Sequence, residues 1–394
     1  MRQPFLTSRL QGFGTTIFTE MTLHAQKYDA LNLGQGFPNF DGPEEIKALA
    51  AESVGHGYNQ YGPMPGLPDL RLAVAEHRKR FYGVEYDPDS EITITHGATE
   101  GIHVSLQALC EVGDEVVIFE PFYDSYRACI AMAGAVDRRY TLEAPDFAVD
   151  GDRLARLITD KTRVILLNTP HNPTGKVFRR SELELIADLA RRHDLIVIAD
   201  EVYEHLVYSD DGSDRESPVH IPIASLPGMR ERTVTLSSAG KTFSFTGWKV
   251  GWMCAPPELT AALRTAHQFV TFSSTTAFQT AVAAALRLDD GFFSQLVNDY
   301  RQRRDFLCRG LESVGFDVIR PDGTYFVLAD IRPLGFDDDV ELCRIMPQKV
   351  QVAAIPPTAF YVNKSAGRHL LRFAFCKSMD LLEEGVRRLS GLSR

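Results

Sequence analysis

A chain of 394 residues is too long for one small core and predicts two domains, while a formal net charge of -10 argues against nucleic acid or an anionic membrane as the main partner. Hydrophobic residues at 44% and charged residues at 24% are ordinary for a soluble globular protein. Cysteines 110, 129, 254, 308, 343 and 376 form no C-x-x-C pair and have no close histidine, which excludes a disulfide frame and a metal site and points to reduced, buried thiols in a cytoplasmic protein.

No apolar run approaches membrane-spanning length, and Met1-Arg2-Gln3-Pro4 does not open a signal peptide. Residues 1–40 are too irregular for a domain of their own and are expected to pack across the others as an arm. Residues 41–288 carry a different rhythm. Short apolar runs at 91–95, 116–119, 164–167, 195–199, 233–236 and 250–253 alternate with amphipathic stretches. One of these, Ser181 to Ala190, reads as a helix capped by Ser181 with Glu184 three residues on. Nearly continuous apolar strands separated by helices indicate a sheet buried on both faces, hence an α/β fold with a mainly parallel sheet. Residues 289–394 change again: a long amphipathic helix over about 292–314, then apolar runs at 324–330, 350–355 and 369–375, predict a smaller α+β domain.

In such sheets ligands sit beyond the carboxyl ends of the strands, so the residues that follow each run matter most. After the first comes His96-Gly97-Ala98-Thr99-Glu100-Gly101, a helix start whose free amides suit a phosphate, although taken alone a plain helix start explains it. Next come the aromatic faces of Phe122, Tyr123 and Tyr126, and then two asparagines held by two prolines in Asn168-Thr169-Pro170-His171-Asn172-Pro173-Thr174-Gly175. Surface turns use the same residues. Ala199-Asp200-Glu201-Val202-Tyr203 follows; a buried Asp200 would need a cation, and a simple cap is the alternative. Last comes Ser238, and Lys241 within Ser237-Ser238-Ala239-Gly240-Lys241-Thr242, where small residues allow close approach and the apolar stretch beyond forms a wall. Together these describe one pocket with phosphate donors, an aromatic plate, an asparagine, an acid, a tyrosine and a lysine.

That set resembles the pyridoxal 5'-phosphate-dependent class I/II aminotransferases of fold type I, over nearly the whole chain. It is most similar to the kynurenine aminotransferase/glutamine transaminase K group and bacterial methionine aminotransferases. Asn32-Leu33-Gly34-Gln35-Gly36-Phe37-Pro38, Asn168 to Pro173, and Gly247-Trp248-Lys249-Val250-Gly251-Trp252 carry the likeness. The resemblance implies a seven-stranded sheet and a homodimer with shared active sites. It further implies that Lys241 holds the cofactor as an imine and then moves the substrate's proton. Asp200 would pair with the ring nitrogen, and Tyr203 and Asn172 would reach the ring's phenolic oxygen. Tyr123 would stack on the ring, while Ala98, Thr99, Ser238 and Lys249 would hold the phosphate, with Tyr61 reaching the neighbouring subunit's phosphate. Arg372 would grip the substrate α-carboxylate with Asn172 and the Gly36 backbone, a planar guanidinium suiting a carboxylate better than an amine does.

By the same resemblance Phe18, Tyr61, Tyr123, Phe278 and Tyr325 would line the side-chain pocket. Such a lining favours methionine, phenylalanine, tyrosine, kynurenine or glutamine as amino donor, with a 2-oxo acid as acceptor. A cysteine-conjugate C–S β-lyase would use the same chemistry at Cα. A cofactor-binding regulatory protein would need an added DNA-binding domain.

Overall fold

The computed structural model describes residues 5–14, 17–209 and 217–392. In chain order its strands are β1 (Leu31–Asn32), β2 (Ile92–His96), β3 (Glu115–Glu120), β4 (Val136–Thr141), β5 (Thr162–Asn168), β6 (Ile196–Asp200), β7 (Thr233–Ser238) and β8 (Val250–Cys254). These are followed by β9 (Asp317–Ile319), β10 (Phe326–Asp330), β11 (Val352–Ala353) and β12 (Leu370–Ala374). Strands β2 to β8 form one seven-stranded sheet in the order β2-β8-β7-β6-β5-β3-β4. It is parallel from β4 through β7, and β8 runs antiparallel to both β7 and β2. The α/β, mainly parallel expectation holds, with one reversed strand.

Alternation explains why this sheet is buried on both faces. Val117, Phe119, Ile165, Leu167 and Val197 enter one apolar cluster, while their neighbours Val116, Ile118, Val164, Leu166 and Ile198 enter another on the opposite face. β4 escapes a hydrophobicity reading because Val136-Asp137-Arg138-Arg139-Tyr140-Thr141 is largely charged. It lies at the sheet edge, where charge discourages pairing with another chain.

The helix expected from Ser181 begins instead at Arg180 and runs to Arg192, so Ser181 lies inside it. Glu182, not Glu184, is the residue that closes the first turn, accepting the Arg179 amide at 2.9 Å. Its other oxygen accepts from Lys176 at 2.7 Å and from the Val149 amide at 3.0 Å. Those partners from outside the helix set the register, and a local capping rule does not see them.

The carboxyl-terminal part holds the antiparallel sheet β12-β10-β9, with the helix Asp290–Val314 packed beside it. The amino-terminal segment is stitched to this region, since β1 pairs in parallel with β11. Arg9 reaches the other way and donates to the Met132 carbonyl at 3.2 Å. All six cysteines are free thiols, and Cys110 differs from the others in being only partly buried. Among the described residues no helix is long and apolar enough to cross a membrane.

A cluster of charged side chains away from the cavities is sealed inside. Arg78, on the helix Pro68–Tyr82, donates to Glu204 at 2.5 Å and to Glu201 at 2.8 Å, and all three side chains are almost wholly buried. Ser237 at the end of β7 donates to the other Glu204 oxygen at 2.8 Å. The helix is thereby fixed to the segment after β6, and that segment to the end of β7. Removing the cation strands two buried carboxylates, so Arg78→Met is expected to lose about 3–5 kcal/mol of stability. A urea unfolding curve would show this as a lower midpoint at unchanged slope, and an unchanged midpoint would contradict it.

Candidate active site

The parallel arrangement brings the carboxyl ends of β3, β5, β6 and β7 to one edge of the sheet. β2 ends there as well, because it is antiparallel to a strand that is itself antiparallel to β7. β8 starts at that edge, which is why Lys249, just before it, joins the group. The loops from these ends enclose a cavity of about 140 Å³ that Ala98, Thr99, Tyr123, Asn172, Asp200, Tyr203, Ser238, Lys241 and Lys249 all line.

Its phosphate-sized corner lies where the helix Gly97–Leu109 starts directly after β2. Gly97 has φ +70°, and a Cβ there would lie 3.2 Å from the Lys249 amine. A Cβ on Gly251 would lie 2.8 Å from the Ala98 nitrogen. Glycine at both positions lets an ammonium and the first free amides of a helix converge on one point, which is an anion cradle. Lys249 holds its place in a left-handed conformation, φ +56°.

Asp200 ends β6 at the floor of the cavity. Burial pushes its carboxyl up to about 6; hydrogen bonds from Tyr126 and the Val202 amide, and the charge of Lys241, hold it from rising further, while Glu201 works the other way. Tyr126 donates from its hydroxyl to Asp200 Oδ2 at 2.6 Å. The sequence places Tyr126 only among aromatic faces. Its spacing of three from Tyr123, at the start of a helix, is the signal that both rings face the same way.

Lys241 sits in the short helix Ala239–Thr242, with Nζ 5.7 Å from the centre of the Tyr203 ring and 5.6 Å from that of Tyr325. Desolvation lowers its pKa to about 8, with Lys249 and Arg372 acting in the same direction and Cys376 and Asp200 opposing it. A lysine in this condition has a substantial neutral fraction near pH 8 and can serve as a nucleophile or base.

A second cavity, about 210 Å³, shares Tyr123, Asn172, Tyr203 and Lys241 with the first and adds Phe18, Gln35, Gly36, Phe37, Phe326 and Arg372. Arg372 is 1% exposed. It donates to Asn172 Oδ1 at 3.3 Å and to the Gly34 carbonyl at 2.8 Å, and its Nε has no hydrogen-bond partner among the described residues. The rings of Phe326, Phe360 and Phe18 surround the guanidinium at 4.1, 5.0 and 5.2 Å from their centres. Burial lowers its pKa to about 10. A cation so desolvated, with one donor free among the described residues, has the chemistry to accept a carboxylate.

Three residues expected around the side-chain pocket lie elsewhere in this chain. Tyr325 is fully buried behind the cavities, where it donates to the Gly36 carbonyl at 2.6 Å and meets the Tyr203 ring edge-on. Phe278 stacks on Trp248, with centroids 4.9 Å apart and planes 17° apart, and lines neither cavity. Tyr61 is 87% exposed and touches Phe272 edge-on, also outside both cavities. Gln35, to which sequence reasoning assigns no role of its own, donates to the Phe18 carbonyl at 3.3 Å and to Thr22 at 2.6 Å, tying the helix Ile17–Lys27 to the pocket wall.

An anion cradle, an aromatic face, a carboxylate, a phenol and a neutralisable amine around one cavity fit pyridoxal 5'-phosphate group for group. The comparisons agree. The family model for aminotransferase class I and II matches residues 28–389. The chain is 47% identical to the probable N-succinyldiaminopimelate aminotransferase DapC of Mycobacterium tuberculosis over 98% of both chains. The solved structure of N-succinyldiaminopimelate aminotransferase from that organism superposes with a TM-score of 0.94, covering 98% of this chain and 100% of that one. Identity to the Escherichia coli methionine aminotransferase is 41%, again over 98% of each chain. The mouse kynurenine–oxoglutarate transaminase 3 is 38% identical over 95% of this chain and 88% of its own. The chain belongs to the class I and II aminotransferases, enzymes that use pyridoxal phosphate to move amino groups between amino acids and oxo acids.

Proposed function

We propose that the chain transfers the α-amino group of a large apolar, aromatic or sulfur-containing L-amino acid to a 2-oxo acid. The observation that carries this is Arg372: a guanidinium lacking one hydrogen-bond partner, ringed by phenyl groups, in a cavity that opens onto Lys241. The α-carboxylate would complete the arginine, and the side chain would extend along Phe18, Phe37 and Phe326. Gln35 adds a neutral polar group, and Arg372 and Lys241 are the only cations lining that cavity among the described residues. An apolar lining supports methionine, phenylalanine, tyrosine, kynurenine or glutamine over substrates with a charged side chain. A second reading, an N-succinylated diamino acid, is favoured by the 47% identity to the DapC relative.

Pyridoxal phosphate supplies an aldehyde that takes up the amino group and a ring that accepts the electron pair released at Cα. In the mechanism we propose, Lys241 Nζ would hold the cofactor and, when free, would be the base that takes the proton from Cα and later returns it. Asp200 would hold the ring nitrogen in its protonated form, and Tyr203 and Asn172 would reach the ring oxygen. Ala98, Thr99, Ser238 and Lys249 would bind the phosphate, and Tyr123 would cover the ring face. Arg372 and Asn172, together with the Gly36 backbone, would fix the substrate carboxylate and so orient the Cα–H bond for Lys241. The same proton removal would serve a C–S β-lyase; ammonia and pyruvate from cysteine conjugates without amino transfer would favour that alternative.

We also infer a homodimer with shared sites. Tyr61 and Phe269 are 87% and 81% exposed, unusual for large aromatic side chains, and Phe272 lies against Tyr61. Tyr61→Ala should then weaken cofactor retention, measured by dialysis of the loaded enzyme, and a fully active monomer would contradict shared sites.

Lys241→Ala is expected to lower turnover by at least about 10²–10⁴-fold, and borohydride should fix cofactor to the Lys241 peptide of the native enzyme only. In the cofactor-free protein Lys241 should react half-maximally with an amine-directed reagent near pH 8, well below ordinary lysines. Reaction rises with pH because the neutral amine is the nucleophile. Arg372→Leu should cut kcat/KM by roughly 10²-fold or more for both amino acid and oxo acid while pyridoxal phosphate stays bound. Comparing rates with methionine, phenylalanine and N-succinyldiaminopimelate separates the two substrate readings.

A further inference from the structure

Asp200 is 4% exposed and Tyr126 3% exposed, and the 2.6 Å hydrogen bond between them is the shortest contact the carboxylate makes with a side chain. The backbone around Asp200 is fixed separately, since its carbonyl accepts from Asn168 Nδ2 at 2.9 Å and from the Thr169 amide at 3.1 Å. The carboxylate itself receives one other donor, the Val202 amide, at a long 3.3 Å to Oδ1. Tyr126 is held through its backbone and ring as well as its hydroxyl. Its backbone amide bonds the Tyr123 carbonyl at 3.0 Å, and the Tyr123 ring meets it edge-on at 5.6 Å.

We propose that Tyr126 is the positioning residue that holds Asp200 as an oriented anion, so that the carboxylate meets the cofactor's ring nitrogen as an acceptor. This rests on the reading of Asp200 as the ring-nitrogen partner. The chemistry is that of a one-way donor. A buried carboxyl group that took up a proton would itself become a donor and would repel a protonated ring nitrogen. A phenol that stays protonated can donate to the carboxylate, and burial together with the neighbouring Asp200 charge raises the Tyr126 pKa well above its ordinary value. The other groups acting on Asp200 do not replace it: Lys241 is a cation without a hydrogen bond to Asp200 among the described residues, and Glu201 is like-charged. By occupying Oδ2, Tyr126 also stops the carboxylate from rotating.

The test uses the cofactor-free protein and two probes: pyridoxal phosphate, and its carbocyclic analogue with C–H in place of the ring nitrogen. Dissociation constants are measured by fluorescence titration for the native chain, Tyr126→Phe and Asp200→Asn. Tyr126→Phe keeps the ring and its packing and removes one hydrogen bond to a charged group. It is expected to weaken pyridoxal phosphate about tenfold while leaving the analogue unchanged. Equal weakening of both probes would mean that Tyr126 only shapes the pocket, and would overturn the proposal. So would no weakening of either. If Asp200→Asn narrows the preference for pyridoxal phosphate and Tyr126→Phe does not, the Tyr126 role fails while the Asp200 assignment stands. If neither variant narrows it, the Asp200 assignment fails first.

Discussion

A buried carboxylate at the end of a central strand is the constraint around which this site is arranged. Asp200 lies where solvent does not compensate its charge, and burial pushes its carboxyl up to about 6. The surrounding groups oppose that tendency by different routes: Tyr126 by a hydrogen bond, Lys241 by charge, Val202 by its amide. Each belongs to a different segment, so the charge of one side chain depends on how three pieces of chain meet. This is what a parallel sheet provides, because it delivers successive loops to the same edge.

The same economy governs the positive groups. Lys241 and Arg372 are both desolvated, and both have their pKa values lowered by burial, yet the consequences differ. The amine falls to about 8 and becomes a group that can be neutral, whereas the guanidinium falls to about 10 and remains a cation. The difference suits a proton carrier in one place and a carboxylate receptor in the other. The buried Arg78 holds Glu201 and Glu204 after β6, and Ser237 within β7 donates to Glu204, so a second, fully internal ion cluster that lines neither cavity joins the segment after β6 to β7.

Much of this was legible in the sequence because strand, turn and polar residue recur in a fixed order. The runs at 116–119, 164–167, 195–199 and 233–236 lie within observed strands or overlap them by all but one residue, and the residues after them do reach one cavity. What the sequence could not convey is long-range. β4 is hidden by its charge, and the helix at Arg180 is registered by Lys176 and Val149, which no capping pattern contains. Tyr126 and Gln35 act through partners that are 74 and 17 residues away. Tyr325 shows the converse: an aromatic residue in the right neighbourhood of the chain is fully buried, lines neither cavity and donates to the Gly36 carbonyl.

Specificity follows from how the wall near Arg372 is made. Phe18 comes from the amino-terminal helix, Phe326 from β10 and Phe360 from the loop before β12, so the cage around the guanidinium is built from three segments. The cage desolvates the arginine and so strengthens its hold on any carboxylate, but it offers no charge to distinguish one side chain from another. Discrimination among neutral substrates must then come from shape, where each methylene in an apolar pocket is worth about 1–3 kcal/mol. Phe18 reaches that wall from the helix Ile17–Lys27, which Gln35 ties to the pocket by donating to the Phe18 carbonyl and to Thr22.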